Sequence, residues 1–74
     1  MSPAELKSAR IALGLSPQQL AAMLRMRGEH ARVTVHRWER GVQDIPGYVS
    51  VVLDLALNVP GVRERLGIGR RDAA

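Results

Sequence analysis

Residues 15–41 read "LSPQQLAAMLRMRGEHARVTVHRWERG", and the way this stretch divides decides the fold. Ser16 has the side chain of an N-cap, and Pro17 suits the first helical position, where a missing N–H costs nothing. Gln19 stands three residues after the cap and reaches back to the Ser16 amide as a capping box. Together they predict a helix whose inward side is Leu20, Ala21, Met23 and Leu24. At the far end, "ARVTVHRWER" stops at Gly41, a C-cap residue. Its V-T-V alternates as a strand would. However, Val35 and Trp38 lie three apart and the chain has no second strand candidate to pair with it, so the spacing predicts a helix over 31–40.

The stretch that joins these helices, "RMRGEHA" from Arg25 to Ala31, shows no period. Two geometries fit. The second helix runs one turn further, about 3.6 residues, to Arg27 with Gly28 as its left-handed stop. Alternatively the connection bulges and Met26 fills a core slot. The helix formers of "AAMLRMR" favour the extension.

Outward from this centre the same signals repeat. "SPAELKSARIALG" has Ser2 as cap, Pro3 at the first helical position, Glu5 three residues after the cap and Gly14 as stop. A helix over 3–13 follows, with Leu6, Ala9, Arg10 and Leu13 on one face. Only "GLS" separates it from the next helix. "IPGYVSVVLDLALN" spaces Val49, Val52, Leu53, Ala56 and Leu57 as an amphipathic helix from near Pro46 to Asn58. "VPGVRERLGIG" adds a short helix with Val62 and Leu66 inward and Gly67 as its stop. The expected organisation is one all-α domain of five helices over 1–69 and a mobile tail at 70–74.

A stretch of 74 residues is expected to hold one modest core, without room for a separate sensor or catalytic domain. Hydrophobic residues are 46% of it, too many for a disordered chain, yet Phe is absent. The core therefore falls to Leu, Val, Ile, Ala and Met, which suits packed helices. Net charge is +4, the sequence pI is near 11.1, and ten of the eleven cations are Arg, whose planar donor fork matches phosphates and guanine edges. A polyanion is the partner this composition implies. Without cysteine there is no disulfide or thiolate metal site, and no apolar stretch is long enough for a signal peptide or a membrane span. The expectation is a cytoplasmic protein.

Five short helices, with a three-residue connection before the second and a basic third, form the layout in which a scaffold helix crosses the DNA backbone and the next enters the major groove. "LKSARIALGLSPQQLAAML", then "TVHRWERG" and "IPGYVSVVLDLAL", resemble the Cro and phage-repressor, or XRE-like, helix-turn-helix regulators. The likeness covers residues 5–57 and implies a compact domain of the lambda-repressor-like type. It also implies a source in phages or mobile elements, where such regulators include those encoded beside anti-CRISPR genes.

The resemblance assigns roles residue by residue. Arg10 corresponds to the first-helix arginine that pairs with the glutamate of the "WE" dipeptide, here Glu39. Burial logic agrees, because an arginine on an apolar face is costly unless a carboxylate takes both its donors. Aligned backward from Trp38, the positions of Arg32, Val33, Thr34, His36 and Arg37 face the groove in relatives. Arg reads guanine through O6 and N7, Val or the Thr methyl meets a thymine methyl, and His donates to a base or phosphate. Ser16, Gln18, Arg40 and Gln43 flank this helix as backbone contacts, joined by Arg25 and Arg27 from the aperiodic segment before it. A glutamine that often touches the backbone in relatives is Pro17 here. Relatives commonly dimerise through the region of Val59, Val62, Leu66 and Ile68, which demands an inverted-repeat operator.

Other chemistries find little support. His30 and His36 are six apart with no cysteine or carboxylate pair beside them, a poor zinc pattern, and no catalytic constellation, metal or cofactor is expected. The leading expectation is a sequence-specific, dimeric repressor of transcription that acts on its own promoter. The competing one is an antitoxin-like module that neutralises a toxin-like protein partner, for which residues 59–74 are the available segment.

Overall fold

Local chemistry at the helix ends sets the chain's path. A computed structural model of the protein describes residues 1–68 and contains α1 (Pro3–Ala12), α2 (Pro17–Met23), α3 (Ala31–Arg40), α4 (Gly47–Asn58) and α5 (Val62–Arg65). The chain is all-helical, with no strand among the described residues. The tail expected at 70–74 lies outside them.

Both expected capping boxes form. Ser2 Oγ accepts the Glu5 amide at 3.1 Å while Glu5 Oε1 accepts the Ser2 amide at 2.7 Å, and Ser16 and Gln19 exchange the same two bonds at 3.1 and 2.8 Å. The Ser2 amide foremost, with the Ser2 hydroxyl beside it, holds the Glu5 carboxyl below its ordinary pKa.

Helix ends follow one pattern. After α1, the Gly14 amide bonds Ile11 O and the Leu15 amide bonds Arg10 O, with Gly14 at φ 73°. This is a Schellman turn, and the chain repeats it after α2, α3 and α5. Glycine occupies the left-handed position in three of the four turns.

The fourth case corrects an expectation. α2 does not extend to Arg27; it ends at Met23, and Arg25 takes the left-handed position at φ 62°. The Arg25 amide bonds Ala22 O and the Met26 amide bonds Ala21 O, both at 3.0 Å. Met26 then packs against the core. A helical Arg25 would carry Met26 around the helix, whereas the turn sends it inward, and that burial offsets the left-handed strain. Gly28, at φ 96°, belongs to the following turn and stops no helix.

Among the described residues twelve side chains form the core, including Leu6, Leu13, Leu20, Val35, Trp38 and Leu53. α3 is its hub, packing on α1 and α2, while α4 packs on α1 and α5. Trp38 is 2% exposed, and its indole Nε1 has no hydrogen-bond acceptor among the described residues.

Candidate nucleic-acid interface

α3 divides sharply by face. Val35 and Trp38 are buried, which turns Arg32, His36, Arg37 and Arg40 outward into solvent, with Val33 and Thr34 half-buried at the margin. Arg32 and His36 lie four apart, as do Val33 and Arg37, so these side chains share one surface of the helix. The Thr34 hydroxyl donates to His30 O at 3.0 Å, which leaves its methyl group as the free contact.

The one carboxylate of α3 is withdrawn from that surface. Glu39 takes Arg10 Nε at 2.7 Å and Arg10 Nη2 at 3.2 Å, and Arg10 Nη1 also donates to Leu15 O at 2.9 Å. The paired side chains are 11% and 8% exposed. Two consequences follow. The pair ties the C-terminal end of α3 to α1 and to the α1–α2 connection, and the exposed face of α3 is left with cations and no anion.

At its N-terminal end the helix is open. His30 occupies the cap position with no side-chain bond to the free amides. Beside it, a depression of about 460 Å³ lies between α2 and α3 and is lined by Gln18, Ala22, Met26, Glu29 and Arg32 among others. Gln18 and Arg32, from different helices, therefore border one hollow. Glu29 borders it too, and no role was assigned to it from sequence. It is the one carboxylate that lines the hollow, an acceptor facing the donors of Arg32 and Gln18.

The remaining flanking residues separate. Ser16 gives its amide and its Oγ lone pair to the capping box, and with Pro17 lacking an N–H, the Gln18 amide, the Gln18 side chain and the Ser16 hydroxyl proton are the donors that the start of α2 leaves free. Arg25 folds back, its Nη1 3.2 Å from Met23 O and 3.4 Å from Ala22 O, while Arg27 is exposed with no such bond among the described residues. Arg40 and Gln43 are exposed at the opposite end, with Arg40 about 12 Å along the helix from Arg32.

The C-terminal segment differs from expectation at one point. Ile68 is 5% exposed and belongs to the chain's own core, which leaves it no surface for a second copy. The left-handed Gly67 turn folds it back, its amide bonding Arg63 O at 2.9 Å. Val62 and Leu66 pack partly on the same core, and Val59 is exposed.

Among the described residues, no three His, Cys, Asp or Glu side chains are grouped as a metal site, and no helix is long and apolar enough to cross a membrane. No family model, no curated protein and no solved structure matches the chain significantly.

Proposed function

We propose that the chain is a sequence-specific DNA-binding regulator of the helix-turn-helix type. In this reading α3 enters the major groove, and a dimer represses transcription from an inverted-repeat operator in its own promoter. The observation that carries the reading is the composition of the exposed face of α3. Three arginines and a histidine stand outward while Glu39 is held by Arg10. Solvation alone does not call for so one-sided a face; a polyanion does.

Roles follow from position. Arg32 and Arg37 read base edges, assisted by Val33, the Thr34 methyl and His36. Gln18, Arg27, Arg40 and Gln43, distributed at both ends of α3, fix the register on phosphates.

Fluorescence anisotropy tests this with DNA from upstream of the coding sequence against a scrambled duplex, each at two salt concentrations. Tighter binding to the upstream DNA at both is the expected result. Equal affinity for the two duplexes would overturn sequence-specific regulation.

A further inference from the structure

α4 carries two apolar stripes. Val49, Leu53 and Ala56 face the core, while Tyr48, Val51, Leu55 and Val59, three and four residues apart, are left between 42% and 59% exposed. A groove of about 730 Å³ runs alongside, between α4 and α1. Ala4, Ser8 and Ala12, spaced by four, line it from α1; Val51, Leu55 and Leu57 line it from α4. A ridge of large apolar side chains on α4 thus adjoins a trough whose α1 wall is made of small ones.

We infer that this face is where two copies of the chain meet, the ridge of each seated in the trough of the other. A two-fold interface uses one patch twice, so it must carry both a projection and the hollow that receives it. This patch does. Its area is also of the right size. Tyr48, Val51, Leu55, Leu57 and Met1 expose on the order of 500 Å² per copy, which with the small groove residues approaches the ~800 Å² each partner gives a standard interface.

Charge excludes a nucleic acid from the same surface. The charged side chains lining the groove are Glu5 and Asp54, and both already have partners: Glu5 accepts the Ser2 amide at 2.7 Å, and Asp54 Oδ1 accepts Asn58 Nδ2 at 2.9 Å. Covering them leaves no carboxylate without a hydrogen bond. None of the groove residues belongs to the exposed face of α3, so both surfaces are usable at once.

Sedimentation equilibrium of the full chain without DNA tests the interface separately from the DNA reading. The expected species has twice the 8.1 kDa chain mass. Val51→Glu on the ridge and Ser8→Arg in the trough should each weaken the dimer at least about tenfold, since the first buries an unpaired charge and the second fills the trough with a side chain far larger than serine. Val42→Glu, at a still more exposed position outside the groove, should leave it unchanged. Far-UV circular dichroism identifies any variant that fails to fold, and the substitution from the other wall is then read instead. A wild-type chain that stays monomeric at its highest soluble concentration overturns the inference. So does a dimer whose dissociation constant is untouched by folded Val51→Glu and Ser8→Arg.

Discussion

Arg10 and Glu39 stand 29 residues apart in sequence and 2.7 Å apart in space, and the guanidinium reaches Leu15 O as well. One side chain thereby joins three segments: α1, the connection to α2, and the C-terminal end of α3. Because both groups are about nine-tenths buried, neither is screened as a surface pair is.

Removing either partner leaves the other charge buried and unpaired. Arg10→Ala or Glu39→Ala should each cost about 3 kcal/mol, and the double variant much less than the sum. Urea unfolding followed by far-UV circular dichroism measures all three. Additive losses, or single losses under about 1 kcal/mol, would show that the pair is not a coupled unit.

Arg25 holds a left-handed conformation that costs a side-chain-bearing residue roughly 1–2 kcal/mol and costs glycine little. Arg25→Gly should therefore stabilise the fold by about 1 kcal/mol, less the bonds its guanidinium makes to Ala22 O and Met23 O. Arg25→Val, β-branched at the same φ, should do the reverse. A destabilised Arg25→Gly in thermal melts would mean that the guanidinium bonds outweigh the strain.

Where the helices begin was readable because capping is local. Ser2 with Glu5 and Ser16 with Gln19 need no information from the rest of the chain. The end of α2 was not, because two local signals competed there. Helix propensity and Gly28 pointed to an extension, and what decided against it was the burial of Met26, a tertiary contact. α4 shows the same limit. Its period marked Leu57 as inward with Val49, Leu53 and Ala56, yet Leu57 is 42% exposed, because α1 covers only part of that side. Periodicity gives the phase of a stripe, and the neighbours decide how wide a stripe is covered. The Arg10–Glu39 pair was accessible by a different route: a cation on an apolar face calls for a carboxylate, and the resemblance of the "WE" dipeptide singled out Glu39.

The Trp38 indole fills the junction of α3 with the core while its Nε1–H has no acceptor among the described residues. Loss of the whole side chain in Trp38→Ala should cost about 3–5 kcal/mol. Trp38→Phe keeps one ring and removes an N–H whose burial without a partner costs about 1–3 kcal/mol, so it should lose under about 1.5 kcal/mol. Denaturation followed by circular dichroism is the suitable readout, since the chain has a single tryptophan. Equal losses in the two variants would point to an unseen partner for Nε1.

The DNA reading predicts different signatures for residues within the same basic strip. Arg32→Ala and Arg37→Ala remove base contacts and should each cost about 1–3 kcal/mol on the cognate site and less on scrambled DNA. Arg27→Ala removes a phosphate contact, so it should weaken binding to both duplexes alike and lower the salt slope by about one. Arg25 lies only two residues away but is folded over the Ala22 and Met23 carbonyls, and its replacement by Ala should move the slope less than that of Arg27. Anisotropy across a salt series separates the three behaviours. A slope that falls equally for Arg25 and Arg27 would mean the Arg25 guanidinium leaves those carbonyls for phosphate on binding. A slope unchanged in both would place the 25–31 turn away from the DNA.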